Sequence, residues 1–200
     1  MANNDFIIDD YTKEKLSFNP VREQLFGFFI LFMAGLIFGV PFFIKWAASF
    51  YGFFDNAEPR FIIRFVVING ILGIVIFIIG IIIHELLHGV FYAMFVKDGL
   101  KSIKFGIVLK EGYVYCESKE VMRSNQFIIG LMMPMIILGI IPAIISIFNG
   151  SMSLLLFGIV FTMAGAGDTL ILTRIIKDRN KTWFENLPSI GEWNVYKPKK

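Results

Sequence analysis

From Phe65 to Val96 the chain runs for 32 residues with one charged side chain, Glu85. A buried helix of a small soluble domain is shorter than this, and a buried strand far shorter. Lipid is the natural surrounding, because a helix there satisfies its own backbone hydrogen bonds. At roughly 20 residues per crossing, three further runs qualify: Leu25–Ile44, Phe127–Phe148 and Met152–Ile176. The expectation is an all-α polytopic membrane protein with four transmembrane helices. Composition agrees, since 56% of the 200 residues are hydrophobic and 16% aromatic, more than a soluble core requires. The second run exceeds one perpendicular crossing, so it tilts or carries its polar residues in a protein-lined cavity.

The basic residues divide unevenly around these spans. Lys13, Lys15 and Arg22 precede the first, and six lie between Lys97 and Arg123. Seven more run from Arg174 to Lys200, against only Lys45, Arg60 and Arg64 on the opposite side. By the positive-inside rule both termini and the central segment are expected in the cytoplasm. The acidic N-terminus (Asp5, Asp9, Asp10, Glu14, Glu23) lacks the basic start of a signal peptide, so the first span reads as retained. The expected organisation is a cytoplasmic segment over 1–24, a membrane domain over 25–176 and a cytoplasmic tail over 177–200. A net charge of +3 without an extended basic face excludes nucleic-acid binding. The single cysteine, Cys116, excludes an internal disulfide and a cysteine metal cluster.

Between the second and third spans, 97–125, the pattern changes. Ser102–Leu109 and Tyr113–Glu117 are rich in β-formers and flank Lys110-Glu111-Gly112, which predicts a small cytoplasmic β-hairpin. The tail, with Pro188, Gly191 and Pro198, reads as a surface segment near the headgroups.

The chemistry concentrates in His84-Glu85-Leu86-Leu87-His88. Residues four apart share one helix face, so both imidazoles can hold one metal ion. Glu85, beside His84, can take a proton from a water the ion activates. These are the only two histidines of the chain, and the chance of this arrangement at this composition is on the order of 4 in 10,000. Three ionisable groups within one turn of a transmembrane helix are costly unless paired or bound to an ion.

A catalytic zinc site has three protein ligands and an open position. A third histidine six residues on is excluded, because position 94 is Met94. Asp168 is the natural third ligand, the only acidic residue between Glu120 and Asp178. In a four-span topology His88 and Asp168 both lie roughly 12 Å from the cytoplasmic end of their helices. Glu111, Glu117 and Glu120 of the polar segment are the alternatives. Gly165 and Gly167 suit close helix packing. Tyr92 reads as an interfacial tyrosine, Asn125 and Thr169 as packing polar groups, Pro134 and Pro142 as kinks in the third span, and Cys116 as inert.

This order of H-E-x-x-H span, β-type segment, Pro-containing span and Asp-bearing span resembles the three-helix core of site-2 proteases. It is similar more closely to the zincin-peptidase family of small bacterial membrane proteins, which share a Gly-Asp pattern in the last span. The resemblance covers 65–176. It implies one zinc ion held by His84, His88 and Asp168, with Glu85 as general base, in a multi-pass protein of the bacterial cytoplasmic membrane. The expected substrate is a transmembrane or membrane-proximal peptide segment, cut near the cytoplasmic face. The segment must unwind to be cut, and the hairpin offers a strand edge to hold it, with Ile103, Phe105, Ile107, Tyr113 and Tyr115 as candidate contacts. Gly167 before Asp168 and Thr169 after it depart from the Leu-Asp-Gly of site-2 proteases. A rival reading is a membrane metal-binding protein or pseudoprotease that sequesters membrane clients without cutting them.

Overall fold

The computed structural model describes residues 8–17, 20–55, 58–108, 113–176, 182–186 and 192–199. Helices dominate it. Pro20–Ala34 (α1) continues through a π-helical turn at Gly35–Gly39 into Val40–Asp55 (α2), and Pro59–Ala93 forms α3. Ser124–Pro134 (α4) passes through a second π-helical turn, Met135–Ile140, into Ile141–Asn149 (α5). Prolines bracket that turn, at Pro134 and at Pro142 in the first turn of α5. A proline withholds its backbone N–H and clashes with the preceding turn, so the hydrogen-bond ladder resets there. Gly150, at φ +74, closes α5 in the left-handed region that only glycine enters freely. Met152–Ala164 (α6) and Ala166–Ile175 (α7) complete the bundle.

Three helices are long and apolar enough to cross a membrane: Gln24–Gly52, Pro59–Ala93 and Ser124–Asn149. A fourth crossing needs α6 and α7 to count as one span, and they meet at a 42° bend. The span expected over Met152–Ile176 is thus two helices that meet at Gly165, where a Cβ would lie 2.7 Å from Met135 Cβ. Gly167 has open space around it and serves no close approach.

The expected hairpin is present. Ile103–Val108 (β2) pairs antiparallel with Tyr113–Ser118 (β3), Phe105 opposite Cys116. Its turn, including Glu111, lies outside the described residues.

The all-α expectation needs correction at the chain ends. Tyr11–Ser17 (β1), Met122–Arg123 (β4), Trp183–Asn186 (β5) and Glu192–Pro198 (β6) make an antiparallel sheet in the order β1-β6-β5-β4. The supposed surface tail alternates: Phe184 and Val195 pack inward with Phe127, Ile171 and Ile175, while Trp183 faces Tyr196 on the other side. That period of two makes strands rather than a loose tail. Direct pairing of β1 with β6, and of β4 with β5, gathers both chain ends and the start of α4 at one end of the bundle.

Candidate metal centre

α3 brings His84 and His88 to one buried stripe, 7% and 6% exposed, with ring centroids 4.9 Å apart. Glycines open the neighbouring positions. The Phe161 ring sits on Gly80 and the Phe105 ring on Gly89, so close that a Cβ would lie 2.2 and 2.3 Å from their Cζ atoms. Asp168 comes from the first turn of α7, a favourable place for a carboxylate beside a helix N-terminus. The bend at Gly165 starts that turn at the level of the histidines.

Asp168 Oδ2 lies 3.5 Å from His84 Nε2 and 3.5 Å from His88 Nε2. A charge-assisted hydrogen bond would be about 2.7–2.9 Å, so these distances are long for direct pairing. Two ligand atoms of a tetrahedral zinc, with bonds near 2.05 Å, stand about 3.4 Å apart. Both Asp168 distances are thus close to the separation of two ligand atoms on one small ion.

The outer face of His88 supports the same fit. Its Nδ1 lies 3.0 Å from the Gly130 carbonyl, which can only accept, so Nδ1 carries a proton and in the neutral ring Nε2 has the free lone pair. Gly130 reaches this place because the ring of Tyr92 rests against it, a Cβ there lying 2.3 Å from Tyr92 Cδ1. Tyr92 is 2% exposed, stacked between His88 and Phe127, so it is a core residue rather than an interfacial one. The corresponding Nδ1 of His84 is buried without a partner among the described residues.

Glu85 stands beside this set, its ligand atom within 4.8 Å of those of both histidines. Two trios therefore share the histidines, one completed by Glu85 and one by Asp168. Asp168 lies 3.5 Å from both Nε2 atoms, while Glu85 also lies close to the backbone N–H of Cys116 on β3. The strand register explains how. Lys119 N–H bonds the Ser102 carbonyl at 2.9 Å, so odd-numbered residues of β3 turn their N–H groups toward β2. Even-numbered ones, Val114, Cys116 and Ser118, then point theirs to the opposite edge. The Cys116 thiol is buried, and burial, with the nearby Glu85 and Glu117 charges, pushes its pKa far up, so it stays protonated and inert.

The other acids are engaged elsewhere. Glu117 faces Lys104 across the hairpin at 3.8 Å, and Glu120 accepts the Ser102 hydroxyl and the Lys97 N–H. Of the candidate peptide contacts, Ile103 is buried and Phe105 packs on Gly89, while Ile107 is 64% exposed. Tyr115 lies over Gly106 on the other face of the hairpin, and the Tyr113 side chain lies outside the described residues. Asn125 is exposed, and Thr169 donates to the Gly165 carbonyl at 2.9 Å. Sequence reasoning missed Gly130 and the Cys116 N–H, because both act through backbone and carry no side-chain signature.

Residues 77–183 match the protein family described as "Putative zincin peptidase". The chain belongs to that family. The matched stretch holds both histidines, Glu85, the hairpin and Asp168, and membership points to a zinc metallopeptidase. No curated protein and no solved structure matches the chain significantly.

Proposed function

We propose that the protein is an intramembrane zinc metallopeptidase of four spans, cutting transmembrane or membrane-proximal segments near the face that carries both chain ends. The observation behind this reading is Asp168 Oδ2 at 3.5 Å from both imidazole nitrogens, inside a bundle apolar enough to sit in lipid. His84 and His88 would hold the ion through Nε2 and Asp168 through Oδ2. Zinc, when bound, acidifies water and polarises a scissile carbonyl. Glu85 takes the proton of the attacking water and passes it to the departing amide nitrogen. The Cys116 N–H, close to the Glu85 carboxylate, would steady it as backbone donors steady a general base.

The substrate must be extended at the cut, since a helix hides its carbonyls in its own hydrogen bonds. The outer edge of β3 supplies N–H groups beside Glu85, which suits a peptide added as a further strand. Charge bias assigns this face to the cytoplasm, and the sheet joining β1, β6, β5 and β4 is consistent with an even number of crossings. The resemblance to site-2 proteases supports the same arrangement.

Zinc content and cleavage of co-expressed membrane peptides, measured on purified wild type, Glu85→Gln and Asp168→Ala, test the roles. We expect about one zinc per chain in the wild type and in Glu85→Gln, with cleavage lost in the latter by a factor of at least 100. Asp168→Ala loses the metal. Wild-type cleavage by Glu85→Gln would leave a metal-binding protein in which Glu85 is no base.

A further inference from the structure

The far half of α3 does not close against the rest of the bundle. Between it and the ends of α2 and α6 lies an apolar wedge of about 850 Å³. Its floor is Phe77 on Phe161, ring centroids 5.8 Å apart, and Phe161 also touches Gly80 beside the metal centre. Its mouth is different. Ser49, Asn69, Asn149 and Ser153 line it there, together with Trp46. Lys45 Nζ stands 5.2 Å from the Trp46 ring and 3.5 Å from the Phe148 carbonyl. The cavity is thus lined by polar groups at one end, with the Lys45 ammonium outside it over the lining Trp46 ring, and is hydrocarbon-like along the rest.

Volume chooses between occupants. A spanning helix about 10–12 Å wide and 30 Å long fills roughly 2,400–3,400 Å³, several times the wedge. At about 30 Å³ per methylene, near the share of one water in the liquid, the wedge holds about 28 methylenes. That is most of the length of two acyl chains. Gly70 and Gly73 leave it open, since neither would bring a Cβ within 4 Å of another group.

We infer that the wedge binds one anionic diacyl phospholipid, headgroup at Lys45 and chains reaching the Phe77–Phe161 floor. Lys45 supplies the charge selectivity and Trp46 fixes the headgroup level. The site is independent of the catalytic reading, because it uses none of the metal-binding residues.

Native mass spectrometry of the full chain in mild detergent tests this, with dioleoyl phosphatidylglycerol and dioleoyl phosphatidylcholine as probes. The wild type should hold one phosphatidylglycerol, preferred about fivefold or more over phosphatidylcholine. Lys45→Glu should erase the preference. Gly73→Phe, which fills open space, should lose the lipid while zinc content stays at the wild-type level. Equal retention of both lipids by the wild type, or undiminished retention by Gly73→Phe, overturns the proposal. So does a second copy or a co-purified peptide in place of the lipid. Should Gly73→Phe fail to fold, as loss of its zinc would reveal, the Lys45→Glu comparison still decides.

Discussion

The two halves of α3 are built from nearly the same residues and meet opposite surroundings. From Pro59 to Ile79 every side chain except Ile62 is exposed, and all of it is apolar apart from Arg60, Arg64 and Asn69. From Gly80 onward the burial follows a stripe, Gly80, His84, His88, Gly89 and Tyr92. The family match begins at Phe77, close to where the surroundings change. Hydrophobicity therefore makes the helix long and apolar enough to cross a membrane but says nothing about which half meets protein. Glycine spacing does that. Gly80 and Gly89 each seat an aromatic ring from another element, whereas Gly70 and Gly73 seat nothing.

The same substitution placed in each half should break the symmetry of composition most plainly. Gly80→Ala drives a methyl into the ring of Phe161, which is 1% exposed and forms the floor of the wedge. We expect a loss of about 1–3 kcal/mol from overpacking, with zinc affinity falling because Phe161 is displaced toward His84. Gly70→Ala meets no atom within 4 Å and gains helix propensity, up to about 1 kcal/mol. Melting temperature and zinc content in detergent report both. Equal effects in the two halves would remove the distinction.

Much of the near half was legible before any coordinates. Three ionisable groups in a membrane span advertise themselves, since lipid tolerates them only for a reason. Asp168 was legible for the same cause. The bend that presents it was not, because Gly165 looks in sequence like any small residue at a helix interface. The terminal sheet escaped for another reason. Lys13 and Tyr196 are partners nearly the whole chain apart, and β1 is charged along its exposed edge, so no local pattern announces the pairing. Backbone groups such as the Gly130 carbonyl are silent in principle.

The near half also differs in facing the hairpin, and strand parity makes a directional prediction there. The N–H of Val114 points to the same edge as that of Cys116, whereas Ile107, paired with Val114, turns its N–H to the opposite edge of the hairpin. Neither proline would remove a ladder bond between β2 and β3. Val114→Pro should lower cleavage about tenfold, the worth of one good hydrogen bond to the substrate, with zinc retained. Ile107→Pro should leave cleavage within about twofold. The reverse ranking would move the substrate to the β2 edge.

The smallest expected effect concerns how the two ends of α3 are fastened. The far end begins at Pro59 behind Glu58, without a side-chain cap. The near end is tied to the hairpin by Glu120, whose carboxylate accepts the Ser102 hydroxyl and the Lys97 N–H. Partial burial acts to raise the Glu120 pKa, but those hydrogen bonds outweigh it and bring it below the usual glutamate value. A carboxylate with a depressed folded pKa contributes stability above its unfolded pKa, near 4.3, and loses it as pH falls through the lower folded value. Protection of the Lys97 amide, corrected for intrinsic exchange, should therefore hold from neutral pH to about 4.3 and decline below. Glu120→Gln should weaken that protection at neutral pH by less than about 1 kcal/mol, because the group is largely solvated, and should remove the acid dependence. Amides near Pro59 should show no such dependence in either protein. An acid transition that survives in Glu120→Gln would assign the tie to another group and leave the two ends of the helix alike.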